Sequence, residues 1–410
     1  MAIHNKKDDA RNFGFIHKLL IDQVEDSEKE TIKLCNSQIQ STSPEEITQE
    51  EYLINMGPQH PSTHGVLRLV VSLQGEIVKS VQPHIGYIHR GIEKMCEKNT
   101  YQQIIHLTDR LDYLSAHINN EAVCLCVEKA LEIEVPDRVK VIRTILDELT
   151  RIASHQLWWC VMGMDLGALT TFFYGLRDRE KILDIFEESC GARLLPSFNT
   201  PGGFMTDIHP NFQKRVKEFL TYFKPKLVEY DELLSGNIIF QERTKKVGFL
   251  SKEDAINFGV TGPSGRASGF ACDVRKVAPY SAYDRVDFKE ITFTQGDSFY
   301  RYQARMDEMR ESMKIIEQLI DNIPEGSHTV KMKPIIKLPA GEYYQRVEAT
   351  RGEFGVYIIS DGGKNPFRVK LRSPNFANLS VLNHIIKNYK IADLVAIMSS
   401  LDLVIPDIDR

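Results

Sequence analysis

The chain is expected to fold as an α+β protein, with an N-terminal antiparallel β-sheet, a central helical bundle and a small C-terminal β/α region. Three observations carry that expectation. The run Leu67-Arg68-Leu69-Val70-Val71-Ser72-Leu73 is followed, across Gln74-Gly75-Glu76, by Ile77-Val78-Lys79-Ser80-Val81, which reads as a hairpin. From Pro136-Asp137 onward the apolar residues Val139, Ile142, Leu146, Leu149, Ile152 and Leu157 step mostly by three and four, the period of one helix face. Late in the chain, residues 342–372 read as strand pairs around Asp361-Gly362-Gly363, and short helices follow.

Taken in order, residues 1–50 carry acidic clusters at Glu25-Asp26 and Glu45-Glu46 and read as an extended arm lying on a partner, with disorder as the alternative. Residues 51–95 form the β-rich region. Residues 96–325 are mainly helical, with helical patterns over 101–132, from Pro136 onward, over 177–189 and over 211–234; Gly202-Gly203 separates the last two. A further helix, Tyr302 to Asp321, has Met306, Met309, Met313, Ile316 and Ile320 on one side, which suits a core better than a cofactor contact. Residues 326–410 form the C-terminal β/α region, expected to pack back on the functional site.

Composition narrows the function classes. Apolar residues make up 42 % of 410, enough for a sizeable core, and a net charge of −5 gives no case for nucleic acid. The cysteines at 35, 96, 124, 126, 160, 190 and 272 contain no C-x-x-C, which argues against a zinc or cluster site built by this chain and for reduced thiols. The most apolar stretch, Leu157 to Tyr174, is interrupted by Asp165 and two glycines and falls short of a membrane span, which needs about 18–20 apolar residues. Lys6-Lys7 followed by Asp8-Asp9 is unlike a transit peptide, so a mitochondrial protein of this sequence would be encoded in the organelle.

The stretch Met56-Gly57-Pro58-Gln59-His60-Pro61-Ser62-Thr63-His64-Gly65-Val66-Leu67-Arg68 is the most informative. Its prolines forbid a regular helix and push His60, just before Pro61, toward extended geometry. Two histidines four apart on a stiff turn read either as turn residues bonded to backbone or as imidazoles presented to a ligand. A zinc site is disfavoured, because i, i+4 spacing puts both ligands on one face only in a helix and the stretch holds no acidic third ligand.

That stretch resembles the signature of the 49-kDa-type subunit of respiratory complex I, the proton-pumping NADH:quinone oxidoreductase. The resemblance recurs at Pro83-His84-Ile85-Gly86-Tyr87-Ile88-His89-Arg90-Gly91, Asp109-Arg110-Leu111-Asp112-Tyr113, Asp165-Leu166-Gly167-Ala168-Leu169-Thr170, Gly352-Glu353-Phe354-Gly355-Val356-Tyr357 with Ser360-Asp361-Gly362, and the final Asp407-Ile408-Asp409-Arg410. It covers roughly residues 52–410. It implies a fold like the large subunit of nickel–iron hydrogenases; the cysteine pairs that hold metal there are replaced here by Leu111-Asp112-Tyr113-Leu114-Ser115 and by Asp402 to Asp407, so no nickel ligands remain.

The resemblance implies ubiquinone reduction. A quinone becomes a quinol when two electrons and two protons reach it, and by motif the donors would be His64 and Tyr113, with Asp165 pairing the histidine and His60 and Thr63 supporting the site. Imidazole is a ready proton donor near neutrality, and the phenol is a hydrogen-bond donor that becomes an acid as negative charge builds on the quinone oxygen. Loss of the His64 proton would leave Asp165 uncompensated, one proposed trigger for proton translocation. Electrons would come from a [4Fe–4S] cluster in an adjacent iron–sulfur (PSST-type) subunit, with Arg90 and Arg110 near it, and NAD bound elsewhere in the complex. Further implied partners are a 30-kDa-type subunit and a membrane-arm subunit at the quinone entrance. The implied location is the matrix side of the mitochondrial inner membrane, or the cytoplasmic face of a bacterial one.

Two departures from the family stand out: Leu195 occupies a position where many members carry a histidine, and a helix usual between Pro324 and Gly341 is missing. The rival reading is a scaffold that keeps the fold and its partners without turnover, in this or a related plastid-type complex; joint retention of His60, His64, Tyr113 and Asp165 argues against it.

Overall fold

The alternating N-terminal run folds back on itself as expected. In the computed structural model, which describes residues 51–60, 63 and 65–410, β2 (Arg68–Gln74) pairs antiparallel with β3 (Ile77–His84), with Val71 opposite Val81 and a bulge at Ser72/Leu73. β1 (Glu51–Met56), a strand that the sequence pattern does not single out, adds to the other edge of β2, with Tyr52 opposite Leu73. The arm expected over residues 1–50, and His64, lie outside the described residues.

The helical region is longer and more broken than its periodicity suggests. Its principal helices are α1 (Ile92–Cys96), α2 (Ala116–Ala130), α3 (Asp137–Asp165), α4 (Leu169–Cys190), α5 (Phe212–Tyr230) and α6 (Ser298–Ile320). The single helix expected over 101–132 is interrupted over 109–115. There Asp112 Oδ1 accepts the Leu114 N–H at 3.1 Å and the Asp112 carbonyl accepts from Ser115 N at 2.9 Å, a turn that short polar side chains form in competition with helix. α4 begins eight residues before the expected 177 and ends at Gly191, whose φ of 76° takes the left-handed C-cap conformation. Between α4 and α5 the expected glycine break is a small hairpin, β4 (Asn199–Thr200) against β5 (Gly203–Phe204). Met306, Met309 and Met313 of α6 are buried, as expected of a core face.

In the C-terminal region β6 (Gly341–Ala349), β7 (Gly352–Ser360) and β8 (Arg368–Arg372) make an antiparallel sheet in that order, with Val347 opposite Phe354 and Val356 opposite Leu371. Helices α7 (Ile391–Leu401) and α8 (Ile405–Asp409) follow. Residues 321–340 form no helix or named strand, and Thr329 bridges Gly203.

One apolar core joins the helices to β6–β8, including Ile142, Ile145, Trp159, Tyr302 and Val356. A second joins the N-terminal sheet to the chain's last helices through Leu69, Val71, Val81, Ile397, Leu401 and Ile405. Sequence-distant ends therefore meet, and the turn after β1 is brought against α8: a Cβ on Gly65 would lie 2.9 Å from Ile405 Cγ1.

α3 also buries charge. Glu148 meets Arg275 at 3.0 Å and Arg151 at 3.3 Å, Arg275 meets Asp273 at 2.6 Å, and Arg266 meets Glu348 at 2.7 Å and also Glu308, which bonds His155 at 3.2 Å. Every member is at most 3 % exposed, so each carboxylate and guanidinium is neutralised by a partner rather than by water.

α3 and α4 pack as an antiparallel hairpin so tightly that a Cβ on Gly175 would sit 2.6 Å from Cys160 Cβ and 3.0 Å from the Gln156 carbonyl. Gly175→Val should lower stability by about 1–3 kcal/mol in denaturant unfolding of the purified subunit. Separately, His117 is buried against Phe186, and burial holds its pKa down at about 3, so the folded protein keeps it neutral while an unfolded imidazole protonates below about 6.5. Its contribution to stability is complete above pH 6.5 and is lost as pH falls toward 3. In the same unfolding measurements taken from pH 6 to 4, His117→Leu should flatten the acid loss by up to about 1.4 kcal/mol per pH unit.

Candidate functional site

The turn that breaks the expected helix is also where the site forms. Asp112 points inward and is 3 % exposed, whereas Tyr113, next in sequence, is 41 % exposed. A cavity of about 190 Å³ opens beside it. Its walls come from four separate segments: Tyr113 and Leu114 before α2; Leu157, Trp158, Val161, Met164 and Asp165 from the last turns of α3; Arg351 from the β6–β7 turn; and Asp402, Leu403 and Val404 between α7 and α8. Most of the lining is apolar, with a few convergent polar groups, the usual character of a ligand site.

Asp165 is the last residue of α3, and its Oδ2 accepts from the Ser399 hydroxyl of α7. The cavity thus brings Tyr113 and Asp165 together. The Tyr113 phenol is shifted above its ordinary pKa, chiefly because its surroundings are desolvated; Arg351 opposes the shift, and Asp112 and Asp402 add to it. At neutral pH it is a protonated donor.

Three residues that sequence reasoning missed form a buried charged triad: Arg351 and Asp402 at the cavity wall, and Asp112 behind Arg351. Arg351 is fully buried and meets Asp112 at 3.1 Å and Asp402 at 2.9 Å. Burial alone would lower its pKa, but the two carboxylates more than offset that and hold it above the usual arginine value. Burial raises Asp112 to about 6 against the pull of Arg351. Asp402 caps α7 in the left-handed conformation, φ 58°, which lets its carboxylate turn back onto Arg351 and toward Arg305 at 3.6 Å. Single residues 239 and 51 positions from Arg351 leave no local pattern from which this triad could be read.

Of the remaining predicted residues, His60 is exposed and its carbonyl faces the Thr63 hydroxyl at 2.7 Å; Thr63 is fully buried, its Oγ1 also 2.9 Å from the Gly65 carbonyl. Thr63 therefore holds the turn. That turn packs on Ile405, the residue after Val404 in the cavity wall. Arg90 and Arg110 are neighbours on a separate exposed surface: Arg90 Nη2 donates to the Arg110 carbonyl at 2.7 Å, and Arg110 Nη1 meets buried Asp109 at 2.8 Å. Burial raises the pKa of Asp109, and the Ser197 hydroxyl and Arg110 oppose it. The loop carrying Arg90 is clamped by Asp409, whose Oδ1 and Oδ2 accept the Gly86 and Ile88 N–H groups at 2.8 and 3.0 Å. Leu195 is half-buried. Among the described residues, no group of three His, Cys, Asp or Glu is arranged to hold a metal, and no helix is long and apolar enough to cross a membrane.

This architecture has known relatives. A family model described as the respiratory-chain NADH dehydrogenase 49 Kd subunit matches residues 165–336 and 327–410. The C/D-type NADH-quinone oxidoreductase subunit of Bacteroides thetaiotaomicron is 60 % identical over 362 residues, covering 88 % of this chain and 68 % of that protein. The D-type subunit of Desulforamulus reducens is 48 % identical over 363 residues, 88 % of this chain and 99 % of that one. That of Bacillus cereus is 46 % identical over 364 residues, 88 % and 100 % of the two chains. These relatives are bacterial and lend no support to the mitochondrial location expected from the sequence. With a matching family model over most of its length and relatives aligned nearly end to end, the chain belongs to the 49-kDa-type subunits of NADH:quinone oxidoreductase, respiratory complex I.

Proposed function

We propose that the cavity beside Tyr113 is this subunit's part of the quinone-reducing site. The observation that carries the reading is the joint placement of Tyr113 and Asp165, two motif residues 52 positions apart, in one largely apolar cavity. A flat apolar headgroup suits Leu157, Trp158, Val161 and Leu403, while Tyr113 offers a proton to one of its oxygens as negative charge builds there. His64, assigned by motif as the second donor, lies outside the described residues; Gly65, next to it in sequence, rests on Ile405. Asp165 would stabilise the charged imidazolium before transfer and be left uncompensated after it, which is the proposed link to proton translocation.

At about 190 Å³ the cavity is smaller than a typical complete ligand pocket of about 300–1,000 Å³, as befits a site whose remaining walls come from partners. Just past Asp165, Leu169 and Phe173 are 56 % and 63 % exposed at i, i+4 on one face of α4, apolar surface available to such a partner. The family's [4Fe–4S] cluster in the adjacent iron–sulfur subunit would supply the electrons, and the Arg90–Arg110 surface would hold positive charge toward it. The 30-kDa-type and membrane-arm subunits would complete the assembly at the cytoplasmic face of a bacterial membrane; the relatives are bacterial, which supports the bacterial alternative over the mitochondrial one.

Tyr113→Phe removes one hydroxyl and keeps the ring. In membranes where the complex assembles normally on a native gel, NADH:quinone reductase activity should fall at least about tenfold, within the range of a lost acid catalyst. Unchanged quinone kinetics would overturn the role given to Tyr113 and favour the scaffold reading.

A further inference from the structure

Tyr113 stands between two cavities. Beside the one described above, Tyr113 and Leu114 also line a small second cavity of about 20 Å³, with room for about one water, together with Ala116, His117, Ala153, Arg179 and Phe186. Arg179, on α4, is only 8 % exposed. Its Nε donates to the Ala153 carbonyl of α3 at 3.2 Å, but Nη1 and Nη2 have no protein acceptor among the described residues, and neither is sealed from solvent. Arg143, Arg266, Arg275 and Arg351, buried elsewhere, each meet a carboxylate. Among the described residues Arg179 meets none, because the acids next to it in sequence are taken. Asp178 binds Arg177 at 2.7 Å and the Tyr222 and Tyr230 hydroxyls at 2.6 and 3.0 Å, and Glu180 pairs with Arg193. Burial pulls the Arg179 pKa below the usual arginine value; Cys160, Glu180 and Tyr113 oppose the fall and Arg193 adds to it. The guanidinium is a cation at neutral pH all the same.

We propose that Arg179 is a positioning residue for proton transfer: its unpaired charge stabilises the phenolate that Tyr113 becomes when it gives its proton to the quinone. The proposal rests on the reading of Tyr113 as a proton donor. In that step two electrons from the neighbouring subunit reduce the quinone. The Tyr113 O–H bond breaks and its proton bonds to one quinone oxygen, while the other oxygen takes its proton from the second donor. The phenolate regains a proton from solvent between turnovers, and Arg179 keeps its own throughout. An ordinary phenol, with a pKa of about 10, is a weak acid at neutral pH, and desolvation makes Tyr113 weaker still. A phenolate formed there therefore needs a counter-charge. Arg351 and Arg179 favour it, and Asp112 and Asp402 oppose it. The pull of Arg351 is the larger, but the two opposing carboxylates are the ones paired with it, at 3.1 and 2.9 Å, so the three largely cancel. No such partner cancels Arg179, and a cavity that holds about one water screens it little.

The test uses the whole complex carrying Arg179→Gln, Arg179→Met or Arg179→Lys, each alone and combined with Tyr113→Phe. Assembly is read on a native gel and electron entry as NADH oxidation by a water-soluble one-electron acceptor. With electron entry unchanged, the two neutral variants should lose about tenfold in kcat for quinone, and Arg179→Lys should keep most of the activity because it keeps the charge. In the Tyr113→Phe background no phenolate forms, so the same substitutions should cost less than about twofold more. Wild-type quinone kinetics in assembled neutral variants would overturn the proposal. So would an equal loss in both backgrounds, or a loss in Arg179→Lys as large as in the neutral variants, since either would mark a role in packing alone. Failure of both neutral variants to assemble would assign Arg179 to holding α4 on α3 and overturn it too. Tyr113→Phe alone separates the two claims. If it is impaired while the Arg179 variants are not, only the role of Arg179 fails; if it too is unaffected, the donor reading fails and this proposal with it.

Discussion

Charge that cannot reach water is the constraint from which most of this subunit's geometry follows. α3 carries Arg143, Glu148, Arg151 and His155 into the interior, and each needs a partner, because an uncompensated buried ion costs several kcal/mol. The partners arrive from everywhere else: Glu128 from α2, Arg275 and Asp273 from a short helix over 274–277 and its N-cap, Glu308 from α6. The Arg351 triad is the same solution applied at the cavity, drawing together the turn before α2, the β6–β7 turn and the end of α7. Whether such pairs add net stability over apolar residues of equal volume is close to break-even. What they provide is position, since a carboxylate paired at 2.9 Å leaves little freedom to the segment that carries it.

Local pattern told much of the architecture. The β2–β3 hairpin, the start of α3 at Asp137 and the methionine face of α6 all stand within a few residues of where periodicity puts them. The misreadings share a cause. The interruption at 109–115 depends on side chains bonding backbone, which a count of apolar spacings does not register. β1 is exposed except at Met56 and shows no inward alternation; it is a strand because β2 offers it an edge. The cavity was legible in part: motif resemblance singled out Tyr113 and Asp165, but Arg351, Asp112 and Asp402 acquire meaning only once folding has brought their segments together.

The cavity therefore inherits rigidity from elements that do not line it. Gly163 and Gly175 let α3 and α4 approach within a side chain's width, and that approach fixes the last turn of α3, where Met164 and Asp165 project. On the opposite side, Thr63 closes the turn after β1, and the second apolar core presses that turn against α8. A site built from four segments with few residues each is held from behind, so changes well outside the cavity can alter its shape.

The clamp by Asp409 has a consequence in time rather than space. It joins residues 323 positions apart, and it holds the loop that presents Arg90. A ribosome adding about 5–20 residues per second needs on the order of 15–65 s to travel that distance. Throughout that interval the Arg90 loop has emerged without the carboxylate that orders it, and the surface around Arg90 exists in its final form only once residue 409 has been made. A chain stalled short of α8 lacks both carboxylate oxygens that accept from the Gly86 and Ile88 N–H groups.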